Sequence, residues 1–211
     1  MKKHTALSFT LCLAMLILSS SATDAKNNVF LGDKLFAEGK YEEALAEVEK
    51  FLETHPHNIN GMSLKAWSLI NLGRDSEAKP VLDAILEKAP NNLDALTAIG
   101  IHYRKTGQPE KAMEAYKKAL VVNPTDAATL GSVVALAVTT GKTEQAIEYG
   151  ERAIKQAPND SVIHANLAIA YHKAENFQKR DFHTKKAGQL GYKNMDVLQQ
   201  IYSGELIIGP Q

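Results

Sequence analysis

Between residues 93 and 126 the apolar side chains form two runs with helical spacing. The first run places four residues on one helix face: Leu96, Ile99, Gly100 and Tyr103. The second run does the same further along: Ala112, Tyr116, Ala119 and Leu120. Gly107 separates the runs and permits the positive φ of a helix C-terminus, while Pro109 suits a first helical turn. The pattern predicts a helix from about Leu93 to Lys105, a tight turn and a second helix.

The same pattern recurs every 34 residues. Three residue types keep this step in phase: Pro56, Pro90, Pro124 and Pro158; Gly39, Gly73, Gly107 and Gly141; Ala44, Ala78, Ala112 and Ala146. A fixed period of this length is typical of stacked helical repeats, because each hairpin buries its apolar faces against its neighbours. Five units follow: 25–58, 59–92, 93–126, 127–160 and 161–194. Predicted N-caps precede three first helices: Asn58, Asn92 and Asp126.

The recurring residues resemble the tetratricopeptide repeat (TPR). In unit three the resemblance rests on Gly100, Tyr103, Gly107, Ala112, Tyr116, Ala119 and Pro124. In unit one it rests on Leu31, Gly32, Gly39, Tyr41, Ala44 and Pro56. It covers residues 25–194 and implies an all-α fold, a right-handed superhelical solenoid of five helix-turn-helix repeats. It also implies a concave groove that binds peptides or protein segments.

Three positions depart from this family pattern. Pro80 lies inside a predicted second helix, where it favours a late helix start or a slight kink. Gly150 stands where an aromatic residue is usual, which indicates either closer packing or a weak point. Glu175 replaces the turn glycine of unit five. Terminal repeats are often atypical because one side faces solvent.

Residues 195–211 follow the array and are predicted to form a capping helix and a tail. Met195, Leu198 and Ile201 share one face of a helix from Asn194 to about Tyr202. The apolar end, residues 206–208, either packs against this cap or docks a partner.

Residues 1–25 have the layout of a secretory signal peptide. Two lysines precede an apolar run of about 13 residues, and small residues follow. Cleavage after Ala22 and cleavage after Ala25 both fit, and an uncleaved membrane anchor is the alternative. The sequence therefore predicts an exported protein, with the periplasm favoured and no membrane span after cleavage.

Composition and motifs exclude several function classes. The chain carries 24 basic and 24 acidic side chains, so no basic surface recruits nucleic acid. Its only cysteine, Cys12, lies in the predicted signal peptide, which leaves no thiol for catalysis or metal binding. His55 and His57 lack a third ligand, while His164 and His172 are too far apart on one helix to share an ion. We expect no enzyme activity, no cofactor, no metal and no small-molecule substrate.

The resemblance also implies which residues line the groove, because the first helix of each TPR faces it. Carried onto this chain, the family positions are Phe30, Asp33, Phe36, Trp67, Ile70, Asn71, Ile101, Arg104, Lys105, Ala135, Val138, Asn166, Ile169 and His172. Trp67 is the only tryptophan, and it either lines the groove or fills space between repeats.

These observations predict a non-enzymatic adaptor or scaffold. It would bind a protein or peptide segment in the groove, outside the cytoplasm. The alternative is a structural subunit of an envelope assembly that docks through its outer face or its C-terminal end.

Overall fold

Helices alternate with short turns throughout the described part of the chain. The computed structural model describes residues 31–208, so the predicted signal peptide and Phe30 lie outside the described residues. Within this part there are eleven helices: α1 (described over 31–37), α2 (Tyr41–Thr54), α3 (Ile59–Asn71), α4 (Asp75–Lys88), α5 (Leu93–Lys105), α6 (Pro109–Val122), α7 (Ala127–Thr139), α8 (Thr143–Gln156), α9 (Ser161–Lys173), α10 (Phe177–Gln189) and α11 (Met195–Ser203).

Ten of these helices form five consecutive hairpins, from α1–α2 to α9–α10, and α11 follows the last hairpin. None of residues 31–208 lies in a strand. The expected all-α fold of five helix-turn-helix repeats with a terminal helix is thereby confirmed. The chain divides into two compact units, Met1–Lys88 and Ala89–Gln211. The first contains α1 to α4 and the second contains α5 to α11.

Side-chain caps at the repeat period start four of the first helices. Asn58 Oδ1 accepts from the Gly61 amide at 2.9 Å, and Asn92 Oδ1 accepts from the Ala95 amide at 2.8 Å. Aspartates cap the first helices of the next two repeats. Asp126 Oδ2 accepts from the Thr129 amide at 2.8 Å, and Asp160 Oδ1 accepts from the Ile163 amide at 3.0 Å. Each cap satisfies an amide that has no partner inside the helix.

The hairpin turns use the left-handed backbone region at the repeat period. The four turn glycines have φ between 71° and 77°: Gly39, Gly73, Gly107 and Gly141. In the fifth turn Glu175 adopts φ 56°, as the only non-glycine residue with positive φ in the part of the chain that the structure describes. The repeat geometry therefore imposes this conformation even where the sequence does not favour it.

Close helix contacts form the core of each unit. In the first unit Gly32 approaches Leu64 of α3, where a Cβ atom on the glycine would lie 2.8 Å from Leu64 Cδ2. In the second unit the same construction places a Cβ on Gly100 2.4 Å from the Tyr116 ring. α5 and α7 are also joined by a buried hydrogen bond of 2.6 Å between the Thr97 and Thr129 hydroxyls.

Gly150 lies at a site of close packing between repeats. It is buried on α8, and a Cβ there would lie 2.4 Å from Leu167 Cδ2 on α9. Leu167 thus occupies the space that a larger side chain at this position would need. Of the two interpretations of Gly150 from the sequence, the structure supports closer packing.

The expected late start of the second helix in unit two is wrong. α4 begins at Asp75, and Pro80 lies inside it. Proline removes the amide that would bond to the Ser76 carbonyl. Both residues are exposed, so water can bind that carbonyl and the helix continues.

The C-terminal helix and tail pack against the last repeat. α11 buries Leu198 and Ile201, and Gly204 ends it with φ 81°. The Leu206 amide then bonds to the Gln200 carbonyl at 3.0 Å. Lys173 donates to the Ile208 carbonyl, and the Ile208 side chain packs against the core cluster of α7, α9 and α11. The tail therefore contacts both the cap and α9, although Ile207 is exposed.

Candidate functional site

The predicted groove residues of the first unit differ in exposure. Asp33 and Asn71 are exposed, Phe36 and Trp67 are partly buried, and Ile70 is buried. The Phe36 ring packs edge-on against Tyr41 in the α1–α2 hairpin, with 5.2 Å between centroids. Burial raises the pKa of Asp33 above its ordinary value. In this unit Trp67 remains the largest predicted groove residue with solvent contact.

In the second unit the predicted residues separate into a buried and an accessible group. Val138 and Ile169 belong to one core cluster with Leu198 and Ile201 of α11. Their side chains are therefore engaged in packing. The accessible group consists of Ile101, Arg104, Lys105, Ala135, Asn166 and His172.

Three of the accessible residues line one cavity between α5, α7 and the start of α9. The cavity has a volume of about 250 Å³ and includes Arg104, Ala135 and Asn166 in its lining. Ser132 of α7 adds a hydroxyl, and Val162 of α9 adds an apolar side chain that is 54% exposed. The remaining wall is mostly small residues: Ala127, Ala128 and Gly131. We call this the α5–α7–α9 cavity.

The cation in this cavity has a donor without a partner. Arg104 Nε is buried and makes no hydrogen bond with any residue of the described chain. Asp160 also lines the cavity, but its Oδ1 accepts from the Val162 amide at 2.8 Å and the Ile163 amide at 3.0 Å. Its charge therefore stabilises the N-terminus of α9.

Tyr116 lies close to this guanidinium. Its side chain is fully buried, and its hydroxyl interacts with Arg104 and Ser132 without reaching full hydrogen-bond geometry. Burial raises the pKa of Tyr116, while the neighbouring Arg104 and Ser132 act in the opposite direction. The cavity is thus bordered by polar groups that the protein leaves incompletely satisfied.

A second cavity of about 520 Å³ lies between α10 and α11. Its lining includes Arg180, whose guanidinium lies 5.1 Å from the centroid of the Tyr202 ring. Thr184 and Tyr202 share a hydroxyl hydrogen bond of 2.7 Å. Arg180 is already paired with Asp181 at 2.7 Å. Unlike Arg104, this cation has its counter-charge within the same helix.

The sequence analysis missed a buried histidine pair in the last hairpin. His164 of α9 meets His183 of α10, with 2.9 Å between their Nδ1 atoms. His164 Nε2 lies 3.0 Å from the Pro158 carbonyl, which can only accept, so this nitrogen carries a proton. A single proton lies between the two Nδ1 atoms, so the two rings cannot both be cationic. The two histidines are 19 residues apart, which places them on the two helices of one hairpin, and this spacing was the available signal.

The pair forms no metal centre in the part of the chain that the structure describes. Residues 31–208 contain no group of three His, Cys, Asp or Glu side chains placed to hold a metal ion. Burial, together with the neighbouring His164, lowers the pKa of His183 to about 4. The pair is therefore a buried polar contact between α9 and α10.

Known proteins place this architecture in a family. One family model, described as the Psidin N-terminal TPR repeats region, matches residues 34–133. TTC0263, a thermophilic TPR protein of Thermus thermophilus, superposes with a TM-score of 0.71 at 22% identity, covering 87% of this chain and all of that one. The chain has the tetratricopeptide-repeat fold, and residues 34–133 match a model of such repeats.

Other TPR-fold neighbours come from different bacteria. PilF of Pseudomonas aeruginosa matches with a TM-score of 0.71 at 15% identity, over 88% of this chain and 90% of that chain. MamA (residues 41 to the end) of Desulfovibrio magneticus RS-1 matches with a TM-score of 0.63 at 21% identity, over 79% and 94%. No curated protein matches the sequence significantly.

These likenesses show the fold. TPR proteins are generally non-catalytic. Within the described residues, no helix is both long and apolar enough to cross a bilayer.

Proposed function

We propose that this TPR protein is a non-enzymatic scaffold that binds a segment of a partner protein on the face formed by α5, α7 and α9. The observation that carries the proposal is the α5–α7–α9 cavity. It joins three residues at TPR groove positions, Arg104, Ala135 and Asn166, beside an exposed valine. An apolar rim with a few unsatisfied polar groups suits a polypeptide ligand, which offers both side chains and main-chain groups.

Site-specific photo-crosslinking tests this proposal. A benzophenone amino acid at Ala135, in the cavity wall, should yield an adduct with the partner in the native host. The same probe at Lys155, an exposed residue of α8 outside the cavity lining, is the matched control. Equal adducts at both positions, or none at Ala135, would contradict binding on this face.

We also propose that the protein acts outside the cytoplasm, in a bacterial periplasm. Support comes from the signal-peptide layout of residues 1–25. N-terminal sequencing of the native protein should begin at Thr23 or Lys26. A protein that begins at Met1 in a cytoplasmic fraction would refute export, and one that begins at Met1 in the membrane fraction would indicate the uncleaved anchor.

The second candidate is a structural subunit of an envelope assembly. It is favoured by features at the C-terminal end, where Phe177 and Phe182 of α10 are 50% and 55% exposed and Ile207 is 65% exposed. Crosslinks from a probe at Lys185, beside the α10–α11 cavity, would support this mode. Deleting residues 204–211 should then abolish assembly while binding at the α5–α7–α9 cavity persists.

A further inference from the structure

We propose that the α5–α7–α9 cavity binds a carboxylate side chain, an aspartate or glutamate within the partner segment, through Arg104. This inference rests on the proposed function and names the chemistry of its ligand. The partner segment would lie across α7 and place its acidic side chain between α5 and α9.

Arg104 provides the positive charge that a carboxylate would need in this cavity. Arg104 is partly exposed and is the single cation in the cavity lining, and none of the ion pairs among residues 31–208 includes it. A guanidinium presents donors in a planar fork that matches the two oxygens of a carboxylate. A bound carboxylate would therefore pair with this cation through guanidinium nitrogens other than the buried Nε.

The second argument is the wall of the cavity. Ala128, Gly131 and Ala135 line one side of α7 with small side chains, so a partner backbone can approach that helix closely. Asn166 can donate to or accept from that backbone. Val162 offers an exposed apolar contact beside the acidic side chain. The cavity therefore offers one cation for an acidic side chain, an amide for the peptide backbone and an apolar side chain beside them. These groups match an extended peptide with a single acidic residue.

Size and charge argue against other ligands. A volume of about 250 Å³ lies below the range of about 300–1,000 Å³ that is usual for small-molecule pockets. A phosphate group carries close to two negative charges and prefers several cations or amides. Here Arg104 is the single cation in the lining and Asp160 is an anion. One guanidinium can neutralise a carboxylate, but it leaves the second charge of a dianion unpaired.

Selection from a random peptide library displayed on phage, with the full chain as the immobilised target, tests the inference. Selected peptides should share an aspartate or glutamate. For a synthetic selected peptide, Arg104→Gln and replacement of the peptide acid by its amide should each raise Kd about tenfold or more, measured by fluorescence anisotropy. The two changes together should weaken binding little more than either alone, because they remove the same contact.

Two further variants sharpen the result. Arg152→Gln removes a cation from α8, outside the cavity, and should leave Kd unchanged. Arg104→Lys keeps the charge without the fork and should give an intermediate Kd. Thermal unfolding followed by circular dichroism establishes that each variant is folded.

The outcomes separate the two proposals. Peptides that crosslink at Ala135 but tolerate both Arg104→Gln and the amide would overturn the carboxylate assignment and leave the binding face intact. Independent, additive losses from the two changes would also overturn it. A library that yields no binders to the folded chain would contradict the proposed function itself.

Discussion

At the residue scale, backbone conformation and side-chain volume at single positions set local stability. The turns require a left-handed residue, which glycine supplies four times and Glu175 once. Elsewhere glycine serves packing, because Gly100 leaves room for the Tyr116 ring. Replacing glycine is unfavourable in both uses, because of backbone strain in the turns and crowding in the core, and each cause can be tested alone.

Glu175→Gly should stabilise the protein by about 1 kcal/mol, because an L-residue pays about 1–2 kcal/mol in the left-handed region. Glu175 is exposed, so few packing contacts are lost. Urea unfolding measures the change. Gly107→Ala is the matched control of opposite sign, since its φ is 71° and an added Cβ would meet no atom within 4 Å. A loss of stability in the first variant would refute backbone strain.

Gly100→Ala should destabilise the protein by about 1 kcal/mol, because crowding against the buried Tyr116 ring outweighs the gain in helix propensity. Gly131→Ala on α7 is the matched control. There a Cβ would meet Ile163 Cγ1 at an ordinary 3.5 Å, so we expect a gain of up to about 1 kcal/mol. If chemical denaturation shows equal gains in stability for both substitutions, the Tyr116 ring moves aside without an energetic cost.

At the scale of helices, the contacts that join neighbouring elements include polar ones inside the core. The Thr97–Thr129 hydrogen bond links α5 to α7, and the His164–His183 pair links α9 to α10. Beside the histidines, Tyr171 donates to Glu151 at 2.5 Å and Lys179 donates to Tyr171 at 2.8 Å. A buried titratable pair makes the last hairpin sensitive to acid.

Stability should therefore fall as the pH drops from about 6.5 towards 4. The folded-state pKa of His183 is lowered to about 4, mainly by burial, with His164 and Lys179 acting in the same direction and Glu151 against it. Between these pH values His183 is protonated in the unfolded chain but not in the folded one. This difference lowers the free energy of unfolding by about 3 kcal/mol at most.

Urea unfolding at pH 7.5, 5.5 and 4.5 measures this slope. His183→Gln should flatten it, whatever its effect on stability at pH 7.5. The control His57→Gln changes an exposed turn residue and should leave the slope as it is. An unchanged slope in His183→Gln would assign the acid sensitivity to other groups.

At the scale of the whole molecule, candidate binding residues occur in both compact units. The α5–α7–α9 cavity belongs to the second unit, whereas Trp67 belongs to the first. Trp67 is partly buried, and the Asn71 amide donates to its backbone carbonyl at 2.8 Å. Partial burial fits both a groove residue and a packing residue, so its role is a question for experiment.

Trp67→Ala should weaken partner capture while the melting temperature falls only slightly, if the indole faces the partner. Because Trp67 is the only tryptophan, its emission in the unsubstituted protein should also shift when partner binds. If it instead packs between helices, the substitution should cost about 3 kcal/mol or more of stability. In that case capture by the protein that remains folded would be unchanged.

The local features of the fold follow from the sequence because they depend on short-range chemistry. The 34-residue step predicts the hairpins, the turn glycines and the N-caps at Asn58, Asn92 and Asp126, and the structure has all of them. The start of α4 was predicted wrongly, since exposure of Pro80 to water depends on its neighbours. Three residues of the candidate site, Arg104, Ala135 and Asn166, were also named, but the sequence did not indicate which predicted groove residues are accessible.

The sequence by itself determined the repeat, the all-α fold and the positions of the turns and N-caps, because periodicity, capping and turn preference act within a few residues of one another. Tertiary structure alone decided which groove positions are free. Val138 and Ile169 are buried in a cluster with α11, whereas Arg104 is partly exposed and lines the α5–α7–α9 cavity. Burial and charge pairing arise between segments that are distant along the chain. A repeat pattern describes residues that are close along the chain, so it does not predict them.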